Sequence, residues 1–159
     1  MGALFHLNRK TRLQAVVLSL RTLHKKVLPP AVMEALSTQI FLGADHDRDA
    51  LALKLTQLGY RSAPLVEDVG TFSVRGDILD VFSPLYAQPV RLEFFGDTVE
   101  SLRAFDPQTQ RTVESLKTLM LPPVKELLFT AATQRSAESA TRAAAERVAL
   151  RLALVLPCF

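Results

Sequence analysis

GTFSVRGDILDVFSPLYAQPVRLEFFGDTVESLRAFDPQTQRT, residues 70–112, alternates apolar and polar side chains, and that alternation decides the fold. Successive side chains of a strand point to opposite faces of its sheet. Phe72 and Val74 therefore share one face, and Ser73 and Arg75 share the other. In the VRLEFF run Val90, Leu92 and Phe94 form an apolar face, which leaves Arg91, Glu93 and Phe95 together opposite it. A large aromatic beside arginines on a polar sheet face has the composition of a binding surface. Arg75, Arg91 and Phe95 are the candidate binding residues.

The turns around this stretch set its topology. Glycine, proline and aspartate mark breaks at 67–70, 83–89, 96–97 and 106–107, so residues 60–121 read as a meander of antiparallel strands. Gly96-Asp97 fits a two-residue hairpin, which needs the positive φ that glycine accepts without a clash. Counting back from that hairpin sets Glu93 opposite Glu100. Opposed like charges are unfavourable, so the register calls for a cation from a neighbouring strand, Arg75 or Arg103.

Upstream, the apolar AVVLSL run at 15–20 reads as a strand covered on both faces. RTLHKKVLPP then reads as a short helix stopped by Pro29 and Pro30, and Pro30 opens a second helix through Leu36. Residues 38–42 read as a strand. DHDRDALALKLTQLGY is the clearest helix, with Asp45, Asp47 and Asp49 at its positive end, a Leu51, Leu55, Leu58 stripe, and Gly59 to stop it. Past Pro122 and Pro123 an alanine-rich segment reads as a C-terminal helix capped by Thr130.

Composition excludes several functions. Of 159 residues, 48% are hydrophobic and 22% charged, which fits a globular protein rather than a disordered one, and the helical and alternating segments together make its class α+β. Residues 1–30 carry six Lys/Arg and no Asp/Glu, whereas residues 31–130 carry nine basic and fourteen acidic side chains. The sheet region is therefore acidic, and any phosphate contact falls to Arg9, Lys10, Arg12, Arg21, Lys25 and Lys26. Cys158 is the single cysteine, which rules out an intramolecular disulfide and fits a reducing cytoplasm. No run approaches the roughly 18 apolar residues of a membrane span. Lys10-Thr11 and Lys117-Thr118 lack the glycines of a phosphate-binding loop, so no ATP hydrolysis, and no ATP or magnesium cofactor, is expected in this chain. His6, His24 and His46 lack metal-ligand spacing. Asp77 and Asp80 lie three apart and read as turn or register residues rather than a catalytic pair.

GTFSVRGDILDVFSP followed by PVRLEFFGDTVESLRAFDPQTQRT resembles the UvrB-homology domain of bacterial transcription-repair coupling factors. The approach LGYRSAPLVEDVGTFSVRG, the FDPQTQRT segment and LPPVKELLF resemble the coupling factors more than UvrB itself. The resemblance is strong over 45–129 and weaker over 7–44. It implies a partial end of a first α/β domain at 1–44 and a UvrA-interaction domain at 45–129, and it fades from Ala131 onward, where residues 130–159 read from their composition as a C-terminal helix with a truncated or shifted end. It also implies a non-enzymatic adaptor that binds UvrA, the damage-recognition ATPase of nucleotide excision repair, through Arg75, Arg91 and Phe95. ATP, magnesium, RNA polymerase and DNA would belong to other domains of an ATP-driven DNA translocase.

Each residue also has a local reading. Arg75 could neutralise neighbouring acids, Arg91 could be a solvated cross-strand partner, and Phe95 could plug the hairpin end. The alternative function is a UvrB-like helicase fragment that contacts DNA through the basic N-terminus.

Overall fold

The computed structural model describes residues 15, 17, 19–23 and 29–125. Their order is α1 (Leu20–Leu23), α2 (Pro30–Leu36), β1 (Thr38–Phe41), α3 (Arg48–Gln57), β2 (Arg61–Ser62), β3 (Thr71–Arg75), β4 (Ile78–Val81), β5 (Val90–Phe95), β6 (Thr98–Phe105), β7 (Thr112–Ser115) and β8 (Thr118–Leu121). The fold is α+β and mostly antiparallel, as the alternation implies. A six-stranded sheet runs in the order β2-β3-β4-β5-β6-β7, and β1 pairs with β8 in a separate two-stranded sheet.

Local chemistry places α3. The Asp47 side chain caps it by accepting from the backbone N–H groups of Asp49 and Ala50 at 2.8 and 2.9 Å. Leu51, Leu55 and Leu58 recur on one face, and all three are buried in the core. Gly59 then ends the helix at φ +91°, close under the Lys125 side chain, where a Cβ would lie 2.9 Å from Cγ. The core gathers this leucine stripe, the apolar faces of β3–β6, and Ile40, Leu119 and Leu121 of the two-stranded sheet. Burying one such side chain contributes about 1.5–3 kcal/mol. Tyr60 sits at this junction, donating from its hydroxyl to the Pro122 carbonyl at 3.1 Å. Burial raises its pKa above the ordinary tyrosine value, outweighing a hydrogen bond with Ser83.

The antiparallel meander holds from β3 to β7, with two departures at its ends. β2 pairs with β3 in parallel over Arg61↔Thr71 and Ser62↔Phe72. β8 leaves the sheet for β1, matching Ile40 to Leu119, and both of these residues are buried in the core.

The covered strand expected at 15–20 is not formed in its described residues. Ala15, Val17 and Ser19 lie outside any regular element, Leu20 begins α1, and Val17 is 95% exposed. Apolar content alone does not distinguish a covered strand from an irregular segment. Helix α2 begins and ends where the prolines and Leu36 placed it. The C-terminal helix expected at 130–159 lies outside the described residues.

Candidate functional site

A single cross-strand row builds the polar face. Ser73 pairs with Asp80, Asp80 with Arg91, Arg91 with Arg103, and Arg103 with Ser115 across β3 to β7. Asp80 occupies the middle of that row and is only 1% exposed. A carboxylate so buried needs partners, because desolvating an unpaired charge costs several kcal/mol. Its Oδ1 accepts from Arg91 Nε at 2.7 Å. Its Oδ2 accepts from Arg91 Nη2 at 2.8 Å and from Arg75 Nη2 at 2.6 Å.

Arg91 is the better held of the two arginines. Besides the bidentate clasp on Asp80, its Nη2 donates to Gln110 Oε1 at 3.0 Å, and its guanidinium carbon lies 4.6 Å from the centre of the Phe105 ring. The hydrogen bond to Asp80 raises its pKa above the ordinary arginine value, ahead of an opposing effect of burial. The Arg91 side chain is 21% exposed and that of Arg75 is 48% exposed. Solvent therefore screens the Arg75 contact more strongly, and Arg91 carries most of the pairing.

Arg91 and Arg103 stand directly opposite one another. Two unit charges about 4 Å apart repel by about 4 kcal/mol at an effective dielectric of 20. Each guanidinium here holds its own carboxylate, Arg91 on Asp80 and Arg103 on Glu93, which converts a charge–charge repulsion into a weaker contact between ion pairs. Arg103 thus supplies the cation expected near Glu93. The expected opposition of Glu93 and Glu100 is not formed, because a β-bulge shifts the register: Glu93 pairs with Ser101 and Phe94 with Val99, leaving Glu100 as the extra residue.

The hairpin itself matches expectation, with Phe95 opposite Thr98 and Gly96 at φ +60°. Phe95 stands at its tip and is 74% exposed, so it does not plug the hairpin end. The structure thus brings Arg75 and Arg91 together on one carboxylate and leaves Phe95 open to solvent on the same strand as Arg91. The local reading of Arg75 as neutralising an acid holds, whereas Arg91 is a cross-strand partner but a half-buried one rather than a solvated one.

Two residues of this site escape a reading by alternation. Asp80 has the register role expected of it, but it is also the anchor of both arginines. Gln110 reaches Arg91 from the β6–β7 loop, at φ +60°. Its signal was the DPQTQ segment, where a turn begins at Asp106: Asp106 Oδ1 accepts from the backbone N–H groups of Gln108 and Thr109 at 2.9 and 2.7 Å.

Elsewhere among the described residues the surface offers little chemistry. Asp77 lies in the β3–β4 turn, 3.7 Å from Arg48 Nη1, in an open depression shared with Asp47, Asp49 and Asp97. Among the described residues no three His, Cys, Asp or Glu side chains are grouped to hold a metal ion, and no helix is long and apolar enough to cross a membrane. Of the six N-terminal cations only Arg21 is described, exposed on α1.

A family model of the UvrB interaction domain matches residues 38–127. The chain is 63% identical over 150 residues to a transcription-repair-coupling factor of Myxococcus xanthus, covering 94% of this chain and 12% of that protein. It is 36% identical over 106 residues to the corresponding factor of Bacillus subtilis, covering 66% of this chain and 9% of that protein. With the Escherichia coli factor the identity is 34% over 111 residues, or 70% of this chain and 10% of that protein. The chain spans about an eighth or less of the length of these relatives.

Proposed function

We propose, for a chain that belongs to the UvrB interaction domain family, that the polar sheet face is a protein dock that recruits UvrA in transcription-coupled nucleotide excision repair. The observation that carries this is the pairing of an aromatic side chain 74% exposed at a hairpin tip with an arginine pinned on the same strand. Exposed aromatics and oriented arginines are the residue types that dominate interface energetics. The acidic balance of residues 31–130 favours a protein partner over DNA for this face. Catalysis, DNA translocation and contact with RNA polymerase are assigned to other parts of the longer proteins that this chain resembles.

Arg75, Arg91 and Phe95 have different parts in such a dock. Phe95 supplies apolar area to be buried by the partner. Arg91 presents a guanidinium whose orientation is already fixed, so little side-chain entropy remains to be lost on binding. Arg75, the more exposed arginine, adds charge at the rim.

The test is a titration of UvrA against the folded chain and its Phe95→Ala and Arg91→Ala variants, with circular dichroism to report folding. Phe95→Ala should melt like the wild type and weaken binding by tenfold or more, since losing a central anchor costs on the order of 2 kcal/mol. Arg91→Ala should weaken binding and also lower the melting temperature, because it strips Asp80 of two of its three hydrogen bonds. Absence of wild-type binding, or unchanged binding by both folded variants, would refute the assignment.

A further inference from the structure

Gln110 is the one non-glycine residue at positive φ among the described residues, at +60°. Glutamine gains nothing locally from that conformation, unlike asparagine or glycine, so the surrounding structure must impose it. The β6–β7 loop does so. Asp106 N donates to the Arg111 carbonyl at 2.9 Å, and Gln110 N donates to the Asp106 carbonyl at 2.8 Å. The Gln110 side-chain amide is then fixed at both ends: Nε2 donates to the Pro107 carbonyl at 2.8 Å, and Oε1 accepts from Arg91 Nη2 at 3.0 Å.

That contact differs in kind from the clasp on Asp80. Asp80 Oδ2 is shared, accepting from Arg75 Nη2 at 2.6 Å and from Arg91 Nη2 at 2.8 Å. Gln110 Oε1 has no second donor among the described residues, so it remains to hold Nη2. With Nε and Nη2 occupied, the guanidinium keeps Nη1, which has no hydrogen-bond partner among the described residues, for an incoming acceptor.

We propose that Gln110 is a positioning residue of the docking face: its strained backbone holds a side-chain carbonyl on Arg91, fixing the guanidinium over Phe105 so that Nη1 meets the partner. This rests on the reading of the polar face as a dock for UvrA. Its physical basis is preorganisation, since a guanidinium fixed before encounter loses less freedom on binding than a mobile one.

The decisive variants are Gln110→Gly and Gln110→Met. Glycine accepts φ +60° readily, so its melting temperature should equal or exceed that of the wild type while the acceptor is lost. Methionine keeps the length of the side chain and the backbone demand, but not the acceptor. Both should weaken UvrA binding by about fivefold, the scale of losing one charge-assisted contact partly compensated by water. Both should also lower the order of the Arg91 Nε–H bond vector measured by nitrogen-15 relaxation on the free chain. Wild-type order and wild-type affinity in both variants would overturn the positioning role. If the wild type does not bind UvrA, the assignment of the partner fails, and the relaxation of Arg91 alone decides the role of Gln110.

Discussion

The two faces of the six-stranded sheet are built from the same strands but held by different forces. On one face Leu79, Val81, Val90 and Leu92 are fully buried in the core that also takes in the leucines of α3, where nothing but shape and apolar area is required. On the other, the same β4 and β5 present Asp80 and Arg91, whose contact depends on the placement of individual atoms. The apolar face tolerates exchange of one hydrophobic side chain for another, whereas the polar face tolerates neither partner without the other. Stability is therefore concentrated on the first face and the proposed dock on the second, and the period-two alternation of β5 keeps the two apart.

The largest effect should come from the apolar face. Leu92 has no exposed surface and lies in β5 between β4 and β6. Leu92→Ala should destabilise the chain by about 3 kcal/mol, the transfer and cavity contributions together. Chemical denaturation would measure it. A loss under about 1 kcal/mol would mean that the core collapses around the cavity, and that the contrast between the faces is overstated.

A smaller loss is expected on the polar face. Asp80→Ala removes the acceptor for three hydrogen bonds and leaves Arg91 opposite Arg103 without its own carboxylate. Complete burial of the stranded charges would make the loss about 3–5 kcal/mol. Because the Arg91 and Arg75 side chains are 21% and 48% exposed, water can replace part of the carboxylate, and a loss of about 2 kcal/mol is expected. The double variant Asp80→Leu with Arg91→Leu should recover much of it by placing an apolar cross-strand pair where the ion pair was. Denaturation midpoints of Asp80→Leu, Arg91→Leu and their combination give the coupling. Additive losses would show that Asp80 and Arg91 do not act as a pair.

Much of the apolar face was legible in the sequence because burial imposes a period. Leu51, Leu55 and Leu58 declared the helix, and Val90, Leu92 and Phe94 declared the inward face of β5. The bulge was legible too, in a feature that turn counting overlooks. Val99 and Leu102 are both buried but lie three apart, so the parity of the alternation breaks between them, where Glu100 is extruded. The Asp80 anchor was harder to read, because a buried carboxylate and a turn carboxylate look alike until the register sets Arg91 opposite one of them. Gln110 was harder still: its contact spans 19 positions and depends on a loop conformation with no periodicity. The exposure of Ala15, Val17, Ser19 and Leu20 had no counterpart in their composition, since apolar content gives the need for cover but not whether cover is present.

The smallest effect lies in the loop that carries Gln110. The hydrogen bond from the Thr109 backbone N–H, with further bonds from its hydroxyl and from Gln108, holds the Asp106 carboxyl below its ordinary pKa of 3.8. A carboxylate whose pKa is lower in the folded than in the unfolded chain stabilises the fold above its ordinary value, and that contribution is lost as pH falls through the folded value. The loop should therefore loosen on acidification from about pH 4 downward, while the apolar face is unchanged. Hydrogen exchange read at Gln108, Thr109 and Gln110, compared with Leu79 and Leu92, would resolve the two faces. Asp106→Asn keeps an acceptor oxygen but cannot titrate, so its loop protection should be flat over the same range. Parallel loss of protection on both faces of the wild type, or an acid-dependent loop in Asp106→Asn, would show that the Asp106 carboxylate does not set the acid response of the loop.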